Sequence, residues 1–158
     1  MIKEIKNIGD KEFICSTILH DLPEWFGIPL ATKEYIENSK RMLMFVYYEG
    51  ENALGFISLE PHNPFTIEIH VMGVKRAYHR QGIGKTLINE CKRYAKSNGY
   101  KLLEVKTLDY RNPDYNYAKT REFYRAMGFI PLECLEDLWG KENPCLLLVL
   151  PLDYGDNK

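Results

Sequence analysis

Long apolar runs are absent from this 158-residue sequence. Stretches such as Cys145–Leu150 fall far short of the ~20 apolar residues that a transmembrane helix needs. The opening residues, Met1–Lys6, place charged side chains between apolar ones and lack the apolar core of a secretory signal peptide. We therefore expect a cytoplasmic protein without a membrane segment.

Cysteine is also scarce, and its positions are scattered. The four cysteines, Cys15, Cys91, Cys134 and Cys145, form no Cys-x-x-Cys pair, so we expect reduced, partly buried thiols. No two histidines have the spacing that would bring them together as metal ligands on a helix. We expect no metal cofactor.

An excess of charge of either sign is lacking, since 21 Lys and Arg oppose 22 Asp and Glu for a net charge of −1. This balance provides no bulk attraction to nucleic acid or to an anionic membrane. An apolar content of 45% can fill a core, which excludes disorder as the main state. Repeats and Pro/Gly/Ser-rich linkers are absent, so residues 1–158 are expected to form one domain.

Hydrophobic periodicity predicts a mixed α/β fold. The predicted strands are Ile2–Asn7, Met42–Tyr48, Ala53–Glu60, Phe65–Val74, Lys101–Leu108, Phe129–Cys134 and Pro144–Leu152. The predicted helices are Lys11–Asp21 with Asp10 as N-cap, Lys33–Ser39 with Thr32 as N-cap, Gly82–Ser97 and Tyr117–Met127. This order favours a mostly antiparallel central sheet of about seven strands flanked by about four helices.

The clearest chemical signal lies where a predicted strand leads into the helix that begins at Gly82. Gly82 and Gly84 allow the backbone to approach another group closely. Unpaired amides at a helix start favour an anion such as a phosphate, and Arg80 and Lys85 add positive charge. The alternative is a tight strand-to-helix turn with solvated basic residues. We favour an anion-binding site.

Two common phosphate-binding motifs do not fit this segment. Gly84-Lys85-Thr86 is like the end of a Walker A loop, but that motif requires a glycine at the position of His79. The dinucleotide-binding fingerprint requires a glycine at the position of Leu87. Both nucleotide-binding interpretations are therefore disfavoured.

The run His79–Gly84 is similar to the signature of the GNAT superfamily of acetyl-CoA-dependent N-acetyltransferases. That signature is Gln or Arg, two residues, Gly, one residue, and Gly or Ala; His79 replaces the usual first residue. A second run, Thr120–Phe129, resembles the family's helix that ends in Phe-Tyr-x-x-x-Gly-Phe. Tyr117 and Thr120 replace the usual Asn and Ala there.

The resemblance implies the GNAT fold, with a V-shaped splay of strands at the cofactor site. It implies that pantetheine pairs with the strand end like an added strand, through Met72, Gly73 and Val74. The remaining cofactor-binding residues that it implies are His79, Arg80, Gln81, Gly82, Ile83, Gly84, Lys85, Thr86, Tyr117 and Tyr124. An amide near Met72 would also polarise the thioester carbonyl. The basic residues Lys75 and Arg76 are attributed to the same phosphates.

Direct acetyl transfer to an amine requires a base, because an alkyl ammonium has a pKa near ~10.4. Glu68 is the candidate, at a position where some family members carry a catalytic Glu, and a solvated strand Glu is the alternative. His70 lies on the same strand face and is the rival base, unless it is structural. Tyr124 occupies the position of the family's general-acid tyrosine; core packing is its alternative, as it is for Tyr117.

The acceptor site is expected at the loop aromatics Trp25 and Phe26, which lie in the region that lines the acceptor cleft in the family. Packing of these rings against the helices is the alternative. Glu24 is a candidate to attract a cationic amine, with a solvated loop Glu as the alternative that the sequence favours. Trp139 is a further candidate for the acceptor site. Leu22–Gly27, together with Trp139 and Asn143–Cys145, looks like a bacterial subgroup.

We expect a small-molecule amine or peptide acceptor, with neither nucleic acid nor membrane as a partner. A non-catalytic acyl-CoA-binding module and a protein N-terminal or lysine acetyltransferase are the alternatives. Many relatives dimerise, and a homodimer stays open.

Overall fold

The computed structural model describes residues 1–152. Its strands are β1 (Ile2–Ile5), β2 (Leu43–Glu49), β3 (Asn52–Pro61), β4 (Thr66–Val74), β5 (Leu102–Leu108), β6 (Ile130–Leu135) and β7 (Cys145–Pro151). Its helices are α1 (Ile8–His20), α2 (Pro29–Ser39), α3 (Ile83–Ser97) and α4 (Tyr115–Ala126), with a 3-10 turn at Arg76–Tyr78. This order of strands and α-helices is the predicted one.

The seven strands form one sheet in the order β1-β2-β3-β4-β5-β7-β6. Antiparallel pairing joins β1 to β2, β2 to β3, β5 to β7 and β7 to β6. The predicted α/β class, with a mostly antiparallel sheet and four helices in the described chain, is confirmed. Strand β7 lies between β5 and β6, so the last two strands do not enter the sheet in chain order.

The chain divides into two compact units. The first comprises Met1–Glu60 and Ile69–Arg93, and the second comprises Pro61–Glu68 and the chain from Tyr94 onward. The division falls within β4, whose first three residues belong to the second unit.

In the first unit, α1 packs against the strands through one apolar face. Ile14, Cys15, Ile18 and Leu19 recur at helical spacing and are all buried. Their partners in the same core are Leu22, Met44, Val46, Phe56 and Val71. Gly73 lies under this helix, since a Cβ there would meet Ile18 Cγ2 at 3.0 Å and Leu22 Cδ1 at 3.2 Å.

Two predicted helix caps are wrong. Helix α1 begins at Ile8, before Asp10, and its N-cap is Asn7, whose side-chain oxygen accepts a hydrogen bond from Asp10 N at 2.9 Å. Helix α2 begins at Pro29, which suits a first helical position because that residue needs no amide donor. Thr32 therefore lies inside α2, and its Oγ1 donates to Phe26 O at 3.0 Å.

The core of the second unit follows the predicted alternation of β5. Leu103, Val105 and Thr107 are buried on one face of the strand, as their period of two predicted. Helix α4 ends at Gly128, whose φ of +101° is readily adopted by glycine. A Cβ at Gly128 would meet Leu150 Cδ1 at 3.1 Å, so packing favours glycine there as well.

Candidate functional site

A left-handed turn leads from β4 toward α3 in the first unit. Arg80 has a φ of 63° and Gly82 a φ of 82°, and positive φ is uncommon for residues other than glycine. A Cβ on Gly82 would meet no atom within 4 Å, so the backbone here borders open space. Successive amides in such turns form concavities that bind anions.

The start of α3 adds further amides to this turn. Thr86 N donates to Gly82 O at 3.0 Å, and Thr86 Oγ1 donates to the same oxygen at 2.8 Å. The amides of Ile83, Gly84 and Lys85 therefore precede the first hydrogen bond inside the helix. The first turn of α3 contains no acidic residue, so its positive end suits a phosphate.

The His79 side chain forms a hydrogen bond with the end of β4, just before this turn. Its Nε2 lies 2.6 Å from Val74 O, and since a carbonyl oxygen only accepts, Nε2 carries the hydrogen. The His79 ring packs edge-on against Trp25, with ring centroids 5.8 Å apart. An imidazole thus makes an internal hydrogen bond where a Gln or Arg is usual in the resembling signature.

A hydrogen bond and an ion pair connect the segment between α1 and α2 to Arg76, which lies just before this turn. Asp21 Oδ2 accepts a hydrogen bond from Arg76 N at 2.7 Å, and Glu24 forms an ion pair with the Arg76 guanidinium. The hydrogen bond from Arg76 lowers the pKa of Glu24. Arg76, expected at a phosphate, is therefore paired with a carboxylate, and the charge of Glu24 is compensated.

Aromatic rings connect the predicted acceptor residues within the first unit. Phe26 packs edge-on against Tyr35 at 5.8 Å between centroids, and Tyr35 packs against His70 at 5.3 Å. Trp25 and Phe26 are half-buried. The structure thus links Phe26 to the rival base His70 through Tyr35, a residue that the sequence analysis did not single out.

Burial alternates along β4. Thr66, His70, Met72 and Val74 are partly exposed, whereas the odd-numbered residues from Ile67 to Gly73 are buried. Glu68 breaks the alternation, because it shares the face of His70 and Met72 and is nevertheless buried.

Glu68 is buried between two charged or ionisable partners in the second unit. It is 6% exposed, which excludes the solvated strand Glu. Its Oε1 lies 2.6 Å from His62 Nε2, and its Oε2 lies 2.7 Å from Lys106 Nζ. Glu104 Oε1 lies 3.2 Å from His62 Nε2 and 3.7 Å from Lys106 Nζ. We call these four residues the Glu68 cluster.

Lys106 is the stable cation of the Glu68 cluster. Burial lowers its pKa, but the hydrogen bond to Glu68 and the charges of Glu68 and Glu104 outweigh that effect and raise the pKa overall. The sequence analysis missed His62, Glu104 and Lys106. Alternation along β5 could have placed Glu104 and Lys106 on one face, but not opposite Glu68.

Tyr124 and Tyr117 lie on α4. Tyr124 is 5% exposed, and its ring packs against Phe123 and Phe129, each at 5.5 Å between centroids. Tyr117 lies in the first turn of the helix, where its amide donates to the N-cap Asp114 at 3.1 Å. Core packing of Tyr124 is observed, and its role as an acid stays a prediction.

Trp139 lies in the connection between β6 and β7 and is 38% exposed. The same connection contributes to a cleft of about 520 Å³ in the second unit. The cleft is lined by Arg111, Asn112, Pro113, Glu136, Asp137, Lys141, Glu142 and Pro144. Arg111 forms an ion pair with Glu136, so part of this charged lining is internally compensated.

The cysteines form no disulfide in the described chain. Burial raises the pKa of the Cys15 and Cys145 thiols to about 12, so both stay protonated and poorly nucleophilic at neutral pH. Among residues 1–152, no helix has the length and apolar character required to cross a membrane.

The sequence model of the Acetyltransferase (GNAT) family matches residues 11–129. A GNAT-family acetyltransferase from Desulfovibrio desulfuricans has a similar structure, with a TM-score of 0.79, 15% identity and coverage of 97% of this chain and 100% of the other. An aminoglycoside 6'-N-acetyltransferase complexed with coenzyme A gives a TM-score of 0.74 at 16% identity, covering 97% of each chain.

The ribosomal-protein-S18-alanine N-acetyltransferase of Escherichia coli gives a TM-score of 0.73 at 16% identity, covering 100% of this chain and 99% of the other. No curated protein matches the chain in sequence. At these identities the structural similarity concerns the fold.

Proposed function

Since the chain belongs to the GNAT acetyltransferase family, as the match over residues 11–129 shows, we propose that it transfers the acetyl group of acetyl-CoA to a primary amine of a small-molecule or peptide acceptor. The observation that carries this proposal is the left-handed turn before α3. Arg80 holds an uncommon backbone conformation two residues before Gly82, and such conformations cluster at functional sites.

In this proposal the turn holds the pyrophosphate of acetyl-CoA. The amides of Ile83, Gly84 and Lys85 donate to it at the positive end of α3, and Arg80 adds charge. Gly82 keeps the approach open, because no atom lies within 4 Å of its Cβ position. The backbone of Met72–Val74 pairs with pantetheine, and the side chains of Met72 and Val74 are partly exposed.

The chemistry requires two proton movements. The acceptor ammonium loses a proton, the amine lone pair attacks the thioester carbonyl, the carbon–sulfur bond breaks, and the thiolate gains a proton. We assign the removal of the ammonium proton to Glu68 together with its hydrogen-bonded partners His62 and Lys106. We favour Glu68 over His70 because Glu68 carries an ionisable partner on each oxygen, whereas the His70 ring packs on Tyr35. Tyr124 supplies the phenol that protonates the thiolate.

The acceptor that we favour is a small-molecule amine. Trp25 is held against His79, and Phe26 against Tyr35, so the predicted acceptor wall consists of rings with fixed neighbours. The names of two structural neighbours specify aminoglycoside and protein-alanine acceptors, and both classes belong in the first screen. Trp139 and Glu24 remain candidate acceptor residues, with Glu24 acting while paired to Arg76.

The proposed enzyme is a single domain in a reducing compartment. Residues 1–158 are taken as one N-acetyltransferase domain, and the cysteines without disulfides support a reducing, cytoplasmic compartment. A homodimer remains open. The proposal includes neither metal nor nucleic acid, and the net charge of −1 supports the latter expectation.

The test is a calorimetric titration with acetyl-CoA and with ATP, followed by an assay of CoA release with an amine panel of aminoglycosides, polyamines and peptides with free N-termini. We expect acetyl-CoA to bind, ATP not to bind, and one amine class to release CoA. Acetyl-CoA binding without release would make the protein an acyl-CoA-binding module. Failure to bind acetyl-CoA would overturn the proposal.

A further inference from the structure

His62 occupies a defined place beside the buried Glu68 carboxylate. It lies in the connection between β3 and β4, and its Nε2 is 2.6 Å from Glu68 Oε1. The side chain of His62 is 36% exposed, whereas that of Glu68 is 8% exposed. The imidazole is therefore the member of this pair that is open to water.

The geometry determines which ring nitrogen of His62 carries a hydrogen. Nε2 faces Glu68 Oε1 at 2.6 Å and Glu104 Oε1 at 3.2 Å. Ionised carboxylates only accept hydrogen bonds, so Nε2 must donate. The neutral ring then carries its lone pair on Nδ1, where a second proton can bind. In catalytic triads a carboxylate likewise orients an imidazole, there through Nδ1 and with Nε2 as the base.

Lys106 fixes one positive charge in the Glu68 cluster. Two carboxylates face one ammonium, Lys106, whose raised pKa keeps it charged at neutral pH. Lys106 is a fixed partner of Glu68, so the exposed imidazole of His62 is the partner that can exchange a proton with water.

We propose that His62 accepts, on Nδ1, the proton that the acceptor ammonium loses, and that Glu68 acts by orienting and stabilising the resulting imidazolium. This inference rests on the proposed function. One ammonium N–H bond breaks, a water molecule carries the proton, and an Nδ1–H bond forms. The electron pair stays on the amine nitrogen for attack on the thioester. His62 later returns the proton to solvent.

The kinetic test compares wild type with His62→Ala and His62→Gln. The probes are spermidine and kanamycin as alkylamines, and O-methylhydroxylamine as an amine that is neutral in the assay. With the alkylamines both variants should lower kcat by about 10²-fold or more, with KM for acetyl-CoA unchanged. The loss should be small with O-methylhydroxylamine, which has no proton to lose before attack, and added imidazole should partly restore His62→Ala.

The two variants separate a proton-accepting role from a structural one. Gln keeps an N–H donor for Glu68 but cannot accept a proton, so a purely structural His62 would be rescued by Gln. Full turnover by His62→Gln would therefore overturn the inference. His20→Ala is the matched control, because His20 is exposed and bonds to Ser16 O within α1 at 2.8 Å. It should retain wild-type kcat.

A second measurement does not depend on the acceptor. Nitrogen-15 NMR of the histidine rings should show neutral His62 protonated at Nε2, and Glu68→Gln should shift that resonance. Protonation at Nδ1 in wild type would overturn the inference even if acetyl transfer is observed. If wild type releases no CoA with any probe, the proposed function fails for those acceptors, and the NMR result still decides the orientation of His62.

Discussion

Tyr124 illustrates how one side chain can serve both the core and the proposed chemistry. Its ring packs against Phe123 and Phe129, and the resemblance to the family motif predicts that its hydroxyl protonates the leaving thiolate. Tyr124→Phe keeps the ring and removes only the hydroxyl. We expect kcat to fall about 10²-fold or more while the Kd of acetyl-CoA stays nearly unchanged.

The control for Tyr124→Phe is Tyr115→Phe, which removes a hydroxyl from a 70% exposed tyrosine on the same helix. Steady-state kinetics and calorimetry measure the two effects separately. Unchanged kcat in Tyr124→Phe would leave this residue with its packing role alone.

Lys106 is the residue whose loss should most affect stability in the Glu68 cluster. Lys106→Met leaves the buried Glu68 carboxylate without its cation, and we expect a cost of about 1–3 kcal/mol in the free energy of unfolding at pH 7. Glu68→Gln combined with Lys106→Met should cost less than the two single changes together, because neither charge is then stranded. Urea denaturation of the four proteins measures this coupling.

The pH dependence of the Lys106 effect has a defined sign. The folded-state pKa of Lys106 is raised above its ordinary value of 10.5, so its stabilising contribution is complete below that pH. It is lost as the pH rises through the higher folded-state value. The stability difference between wild type and Lys106→Met should therefore be constant near neutral pH. It should shrink only when the pH rises above 10.5, the ordinary pKa of lysine. A difference that grows with pH would contradict this assignment.

At the scale of the element, α3 carries the proposed phosphate site at its start. Gly82→Val places a β-branched residue at a φ of +82° and fills the open space before the helix. We expect loss of acetyl-CoA binding in calorimetry, together with a strain cost of at least ~1–2 kcal/mol.

Gly99→Val is the matched control at the other end of α3. Gly99 has a φ of +80° and also no atom within 4 Å of its Cβ position, so the backbone strain is comparable. It should lose similar stability and retain acetyl-CoA binding. Equal loss of binding in both variants would show that unfolding causes the effect. The turn before α3 would then not be part of the acetyl-CoA site.

The N-cap of helix α1, Asn7, can be tested by substitution. Asn7→Ala removes the side-chain oxygen that accepts from Asp10 N, and we expect a loss of about 1 kcal/mol. Asp10→Ala removes only the attraction of a first-turn carboxylate for the helix dipole, which is worth less. Thermal melting of the two variants distinguishes them, and a larger loss in Asp10→Ala would restore Asp10 as the cap.

At the scale of the whole molecule, acetyl-CoA should stabilise the folded chain by mass action. At a concentration of about 100 times Kd the expected gain is about 2.7 kcal/mol, seen as a rise in Tm. ATP at the same concentration should leave Tm unchanged. A rise in Tm with ATP and none with acetyl-CoA would favour the nucleotide-binding interpretation of Gly84-Lys85-Thr86.

The sequence by itself determined the order of the elements, the α/β class and the position of the glycine turn before α3. These features depend on neighbours along the chain. Periodicity reports which side of a helix or strand is apolar, and the glycines of the family motif mark where the backbone must turn, so Gly82 and the alternation of β5 could both be read without coordinates.

Only the tertiary structure decided which charged residues meet. Glu68, Lys106 and His62 are separated in the chain, and their pairing depends on strand order and register, which local patterns do not encode. For the same reason the sequence predicts Arg76 at a phosphate, whereas in the structure Arg76 forms an ion pair with Glu24. The pairing within the Glu68 cluster therefore depends on burial and on contacts between distant parts of the chain, whereas the motif positions are visible in the sequence.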